Sequence, residues 1–167
     1  MDTNLPSAIA SELWGSLPDL QQLLRLSIRL LVALIAGATI GAQREATGKS
    51  AGLRTHVLVA LGSAIFVLAG FEYGFGNDPM SRLIQGLTTG IGFIGGGAIL
   101  KLAQDRAIKG LTTAGSIWAT AAIGVAAGLG QIALVLVATI LTWVVLALFA
   151  KWEKRLRPAK HVHAELE

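Results

Sequence analysis

Long apolar segments alternate along this chain with short segments that hold most of its charged residues. The first apolar segment, 23–42, has Arg25 and Arg29 near one end, where long side chains can extend to a membrane surface. The second, 53–71, is polar in its first turn and apolar afterwards. Three further segments contain no charged residue and are about as long as a membrane-spanning helix needs to be: 83–100, 111–129 and 132–150. The pattern predicts an all-α integral membrane protein with five transmembrane helices.

The composition agrees with a membrane protein and excludes several other classes. Of the 167 residues, 53% are hydrophobic and 14% are charged, against about 25% charged residues in an average soluble domain. The chain has no cysteine, which excludes a disulfide framework, a thiolate metal site and a cysteine nucleophile. The net charge of +4 is also found in nucleic-acid-binding proteins, but in so apolar a chain it indicates basic cytoplasmic loops.

Lysine and arginine are concentrated in every second segment that connects the predicted helices. Basic residues cluster in segments 44–54, 101–109 and 151–160, whereas segments 1–22 and 130–131 have none and segment 72–82 has only Arg82. Because basic loops remain in the cytoplasm, the N-terminus is predicted outside and the C-terminus inside. The predicted regions are an external tail or interfacial helix (1–22), a five-helix membrane domain (23–150) and a basic cytoplasmic tail (151–167).

The second and fourth apolar segments align when the chain is shifted by 58 residues. The motif Gly-Leu-x-Thr at 52–55 recurs at 110–113, and eight of the 19 positions in 52–70 are identical in the shifted chain. The same shift places Gly37 on Gly95. This predicts a tandem repeat of a two-helix unit, helices 1–2 and 3–4, with a pseudo-axis along the membrane normal.

The third apolar segment is rich in glycine. Its glycines are Gly86, Gly90, Gly92, Gly95, Gly96 and Gly97. Small residues four apart let helices approach closely in lipid, within one chain or across a dimer. The three adjacent glycines at 95–97 are also compatible with a broken helix beside a ligand or ion path. Both interpretations remain open from the sequence.

Polar residues gather where the predicted helices meet the cytoplasm, and we expect them to form one cluster. The cluster comprises Arg44, Glu45, Arg54, Thr55, His56, Lys109, Thr112 and Thr113. Thr55 and Thr113 are expected to cap the second and fourth helices, whose positive ends face the cytoplasm. These helix ends and cations would attract an anion. Alternatively, the cations only fix the membrane orientation, and His56 only makes a hydrogen bond at the interface.

The predicted external loop contains Glu72, Asp78 and Arg82. Two carboxylates there could hold hydrated Mg²⁺. The favoured alternative is structural: Asp78-Pro79 starts a helix, and Arg82 lies near Asp78 one turn later. No metal site is therefore predicted.

Several motifs in order resemble the MgtC/SapB family of membrane proteins over about residues 23–150. They are Gln43-Arg44-Glu45, Ala51-Gly-Leu-Arg-Thr-His56, Asp78-Pro79 with Arg82, the glycine-rich run 90–97, Lys109-Gly-Leu-Thr-Thr113 and Trp118. The resemblance implies a small bacterial inner-membrane protein with an external N-terminus. Members are linked to growth in low magnesium and to virulence through survival inside macrophages. The resemblance further implies regulators, including restraint of the F-type ATP synthase, rather than magnesium transporters.

The chain departs from the family pattern in three respects. Gln43 stands where the family usually has glutamate, and the interval between Asp78-Pro79 and Arg82 is one residue longer than usual. Longer virulence-type members carry a soluble domain after the membrane helices, whereas this chain ends about 17 residues after Ala150, so a short form is expected.

The predicted function is that of a non-enzymatic regulatory or accessory protein that acts through helix–helix contacts. The expected partners are the lipid bilayer, a second copy of the chain and another membrane complex such as the ATP synthase, without nucleic acid or cofactor. The alternative is a small transporter or channel for Mg²⁺ or another ion. The apolar segments contain no Asp or Glu, and such residues usually mark cation pathways. No catalytic pair or cofactor motif indicates an enzyme.

Overall fold

The computed structural model describes residues 18–101 and 108–149, which form a bundle of five α-helices. The helices are α1 (Leu20–Ala46), α2 (Leu53–Glu72), α3 (Asn77–Gly97), α4 (Leu111–Gly128) and α5 (Ile132–Val144). A π-helical turn, Val145–Phe149, continues α5. An antiparallel ribbon of two short strands, β1 (Leu100–Lys101) and β2 (Ile108–Lys109), connects α3 to α4. Most of the predicted external tail and all of the predicted basic tail lie outside the described residues.

Four of these helices are long and apolar enough to cross a membrane: α1, α2, α4, and α5 with its π-helical turn. The prediction of an all-α membrane bundle is confirmed to that extent. Helix α3 has 21 residues, which corresponds to about 31 Å at 1.5 Å per residue. Its first half is polar, with Asp78, Arg82 and Gln85, and its glycines add little apolar surface. Length alone therefore permits α3 to cross, but its composition does not require it.

Consecutive helices run in opposite directions, so the bundle has two distinct ends. At the Arg44 end, defined by Arg44, His56 and Thr113, α1 finishes while α2 and α4 begin. At the Arg29 end, defined by Arg29, Glu72 and Gly130, α2 and α4 finish and α1 begins. Most of the predicted polar cluster consequently lies at a single end of the molecule.

The core is formed by α1, α2 and α4, which pack through small residues. Gly124 of α4 lies against α2 so closely that an added Cβ would lie 2.3 Å from the carbonyl oxygen of Ala60. One turn further on, Gly128 lies against Ala64 and Val67 in the same way. Backbones that approach this closely in lipid gain dispersion contacts without needing large apolar side chains.

Helix α3 differs from its prediction at its C-terminal end. It runs without interruption into the three adjacent glycines and ends at Gly97, so a break inside the helix is excluded. The prediction that this helix extends to residue 100 is wrong, because Leu100 belongs to β1. Consecutive glycines weaken the helix by about 1 kcal/mol each relative to alanine, which favours an end at this point.

Arg29 stabilises the opposite end of the bundle. Its Nη1 donates to the carbonyl oxygen of Gly128 over 2.9 Å, and its guanidinium lies 5.7 Å from the ring centre of Phe71. A cation is favourable here because α4 presents its negative dipole end at Gly128. Arg29 therefore joins α1, α2 and α4, whereas Arg25 remains exposed.

Candidate functional site

Arg44 is buried near the end of α1 with only 2% of its surface exposed. Its Nη2 donates to Thr113 Oγ1 of α4 over 2.9 Å. Its Nε is buried without a hydrogen-bond partner, and no carboxylate of the described residues pairs with the guanidinium. A buried cation without a counter-ion is costly, so this side chain retains a strong capacity to bind an anion.

A chain of hydrogen bonds extends from Thr113 to His56, which is fully buried. Ser116 Oγ donates to the Thr113 carbonyl oxygen over 2.8 Å and lies 3.1 Å from His56 Nε2. His56 Nδ1 lies 2.9 Å from the carbonyl oxygen of Gly52, which can only accept, so Nδ1 carries a hydrogen. Together with the Arg44–Thr113 bond, this network connects α1, α2 and α4.

Glu45 caps the N-terminus of α2 from the neighbouring helix. Its Oε2 accepts from the backbone N–H of Leu53 over 2.7 Å. The cap residue itself is Gly52, where an added Cβ would lie 2.5 Å from Glu45 Oε2. Glycine at this position therefore makes room for the carboxylate, which also complements the positive end of the helix dipole.

No side chain of the described residues caps the equivalent end of α4. Its cap residue is Gly110, which has a φ of 97° and no side chain that could accept from the helix. This conformation favours glycine, and an added Cβ would also lie 2.0 Å from the carbonyl oxygen of Ala98. The prediction that Thr55 and Thr113 cap these helices is wrong, because both lie three residues inside the helix. Thr113 binds Arg44 instead.

Gln43 connects α1 to the π-helical turn after α5. Its Nε2 donates to the carbonyl oxygen of Leu146 over 3.2 Å. A π-helical turn alters the regular ladder of helix hydrogen bonds, and a side-chain donor can satisfy a carbonyl that this alteration exposes. An ionised glutamate has no hydrogen to donate, so the amide at this departure from the family pattern has a structural role of its own.

The structure separates the predicted cluster into buried and exposed members. Arg44, His56 and Thr113 share the buried network, which also contains Ser116, a residue that the sequence interpretation missed. Ser116 could have been found because it follows Thr113 by three residues and so lies on the same helix face. The remaining members are peripheral: Glu45, Arg54, Lys109 and Thr112 are exposed and Thr55 is half-buried.

A cavity of about 670 Å³ adjoins this network at the start of α4. Its basic and polar lining includes Arg44, Lys49, Lys109 and Thr113, and part of its apolar lining is Leu146. Neither Arg54 nor Glu45 lines it. The cavity therefore combines three cations with the N-terminus of α4, which no carboxylate of the described residues caps.

At the Arg29 end, the predicted partners Asp78 and Arg82 are both exposed at the start of α3. The helix begins at Asn77 with Pro79 in its first turn. Within residues 18–101 and 108–149, no ion pair joins Asp78 to Arg82, and no three His, Asp or Glu side chains form a group that could hold a metal ion.

The glycines of α3 differ in what they contact. Gly95 lies against Ala114 of α4, where an added Cβ would lie 3.7 Å from the alanine Cβ. The other five face open space, with nothing within 4 Å of an added Cβ: Gly86, Gly90, Gly92, Gly96 and Gly97. Packing among the described residues therefore uses one glycine of the six.

Comparison with known proteins identifies relatives along most of the chain. The model of the MgtC family matches residues 30–155. The chain is 44% identical over 83% of its length to a protein of Escherichia coli K12 named "Putative magnesium transporter YhiD" and spans 66% of that protein. It is 39% identical to protein SrpB of Synechococcus elongatus, with 78% of each chain covered. It is 41% identical to protein MgtC of Salmonella typhimurium over 68% of its own length and 48% of that relative. No solved structure matches the chain.

Proposed function

Since this chain belongs to the MgtC family and is a multi-pass protein of the bacterial inner membrane, we propose that it is a non-enzymatic regulatory or accessory protein. It acts by binding other membrane proteins through a helix face that its own bundle leaves unused. The chain spans only about half to two thirds of YhiD and MgtC, so this proposal rests on the features of the chain itself.

The observation that carries the proposal is an apolar cleft of about 660 Å³ between α2 and α3. Gly62 of α2 and Gly86 and Gly90 of α3 line it, and an added Cβ at any of them would meet nothing within 4 Å. Glycine inside a helix weakens it by about 1 kcal/mol relative to alanine. These glycines make no packing contact among the described residues that would offset this loss. The close approach of another helix would provide such contacts.

The first partner we propose for this cleft is a second copy of the chain. Most soluble homo-oligomers are symmetric dimers, and four-residue spacings of small residues are a recurrent dimer interface in membranes. The spacing Gly86/Gly90 has this form and lies on the open face. By resemblance to the family, a larger complex such as the ATP synthase would use the same face.

The proposal also includes a membrane topology, in which α3 crosses as a fifth span and the N-terminus lies outside. It further includes a tandem repeat of a two-helix unit. Two contacts at equivalent positions support the repeat. An added Cβ at Gly37 would lie 2.8 Å from the His56 carbonyl oxygen, and at Gly95, 58 residues later, it would lie 3.8 Å from that of Ala114. Helices α3 and α4 therefore contact each other at positions equivalent to those of α1 and α2, but less closely.

The decisive experiment fills the cleft. Gly86→Leu with Gly90→Leu is expected to weaken self-association in liposomes about tenfold or more, measured by energy transfer between differently labelled copies. Gly115→Leu is the matched control, because Gly115 is also a helical glycine with open space around it but does not line the cleft. Self-association that is unchanged in the double variant, or equally weakened in the control, would contradict the proposal.

A second candidate function, ion transport, is suggested by the name of the relative YhiD and by Arg44, since buried charges in membrane helices often mark ion pathways. Reconstituted protein should distinguish the two. The proposal expects no protein-dependent Mg²⁺ flux into liposomes. Flux that Arg54→Gln or Gly96→Leu abolishes would overturn the purely regulatory interpretation.

A further inference from the structure

We infer that the cavity at the start of α4 is a binding site for a phosphate-type anion, either a lipid headgroup phosphate or a free phosphate. This inference does not depend on self-association or on any protein partner. It concerns a cavity whose lining shares no residue with the α2–α3 cleft.

The charges of the cavity provide the first argument. Arg44 lines it while 2% exposed, its Nε has no partner, and no carboxylate of the described residues neutralises it. Lys49 and Lys109 line the same cavity. A guanidinium presents planar donors that match the oxygens of a phosphate, and two lysines add positive potential.

The second argument is an internal comparison between α2 and α4. The Gly-Leu-x-Thr motif begins both helices, but within residues 18–101 and 108–149 a carboxylate, that of Glu45, caps α2 and none caps α4. Shifting Glu45 by the 58-residue repeat gives Ala103, which has no acidic group. The positive end of α4 is therefore the one that a separate anion can occupy, and free backbone N–H groups at a helix start bind phosphate oxygens well.

The walls of the cavity are partly apolar, with Leu111, Val145 and Leu146 beside the cations. Basic residues next to apolar surface at a membrane boundary suit a phosphate that carries acyl chains. A free phosphate would use the same donors without the apolar contacts. The two sources therefore share one recognition chemistry and differ only in what is attached to the phosphate.

The test uses the full chain purified in detergent, with two probes. Inorganic phosphate is titrated in a calorimeter, and native mass spectrometry compares phosphatidylglycerol with phosphate-free diacylglycerol. Binding of inorganic phosphate supports a free anion. Selective retention of phosphatidylglycerol without phosphate binding supports a lipid. Absence of both in the wild-type protein overturns the inference.

Variants locate the bound anion. Lys109→Gln removes an exposed cation and is expected to weaken binding several-fold. Thr112→Asp places a carboxylate in the first turn of α4, as Glu45 does for α2, and is expected to weaken binding about tenfold or more. Arg44→Lys retains the charge but loses the planar donors, with an expected loss of about tenfold.

Arg54→Gln is the matched control, because Arg54 occupies the repeat position of Thr112 but lies outside the cavity. We expect it to leave binding within about twofold of the wild type, since Arg54 is exposed and its charge is screened by salt. If Arg54→Gln weakens binding as much as Lys109→Gln, the affinity reflects general positive charge and the inference is wrong. Because Lys109 is exposed, its variant tests the site even if Arg44→Lys fails to fold.

Discussion

Buried hydroxyl groups in this bundle differ in whether their hydrogen-bonding capacity is used. Ser116 is 3% exposed and bridges His56 and the Thr113 carbonyl oxygen. Thr139 of α5 is 9% exposed, and its Oγ1 has no partner among the described residues. A satisfied buried hydroxyl stabilises the fold, whereas an unsatisfied one destabilises it by its desolvation.

Substitutions at these two hydroxyls should therefore differ in their effect on stability. Ser116→Ala removes the bridge and leaves polar atoms unpaired, so we expect the free energy of unfolding to fall by about 1–2 kcal/mol. Thr139→Val keeps the shape and removes only the unpaired hydroxyl, so we expect no loss, or a gain of up to about 1 kcal/mol. Reversible unfolding in mixed detergent micelles, followed by circular dichroism, measures both. Equal losses in the two variants would contradict the predicted difference between a paired and an unpaired hydroxyl.

Single residues of the site also show how far sequence reasoning reaches. The alternation of basic and apolar segments assigns Arg44, His56 and Thr113 to the same membrane boundary, and in the structure Arg44 contacts Thr113 although the two are far apart in sequence. The alternation could not predict that His56 is buried while Arg54 is exposed. Residues two positions apart in a helix point in directions that differ by about 200°, so one of these side chains faces the core and the other faces outward. That choice depends on which face α4 covers, which is a property of the folded bundle.

At the scale of elements, the sequence predicts helices well and the segment between α3 and α4 poorly. Apolar runs gave the positions of α1, α2, α4 and α5 because burial in lipid requires them. The ribbon of β1 and β2 has two residues per strand, too few to show an alternating pattern. The end of α3 was placed three residues too late because its glycines count as apolar in a membrane pattern although they weaken a helix.

The carboxylate of Glu45 should determine the stability of the first turn of α2. Glu45→Ala removes the acceptor of the Leu53 N–H, and we expect a loss of about 0.5–2 kcal/mol, as for other lost helix caps. Glu45→Gln keeps an acceptor but loses the charge, so its loss should be smaller. Hydrogen exchange of the Leu53 amide should accelerate in both variants. The amide of Thr112 in α4 is the internal control, since it does not depend on Glu45; equal acceleration there would indicate general loosening instead of a lost cap.

At the scale of the whole molecule, the course of α3 along the bundle determines how many times the chain crosses the membrane. Helices α2 and α4 run in the same direction, with His56 facing Ser116 at one end, so the chain must return between them. Met80, near the start of α3, lies against Gly70 near the end of α2, and Gly95, near the end of α3, lies against Ala114. Helix α3 therefore runs the length of the bundle beside α4, which favours a fifth span.

Single cysteines can decide this, because the chain has no cysteine of its own. We expect a membrane-impermeant maleimide to label Asn77→Cys and Gln131→Cys in intact spheroplasts, since both residues are exposed at the Arg29 end. Ser50→Cys and Ile108→Cys, exposed at the other end, should be labelled only after permeabilisation. The pair Asn77 and Ile108 brackets α3, so equal accessibility at both would mean that α3 does not cross. If Ser50→Cys and Ile108→Cys were instead labelled in intact spheroplasts and the other two variants were not, the orientation would be the reverse of the one proposed. The Arg44 cavity would then lie outside the cell, contrary to the positive-inside rule.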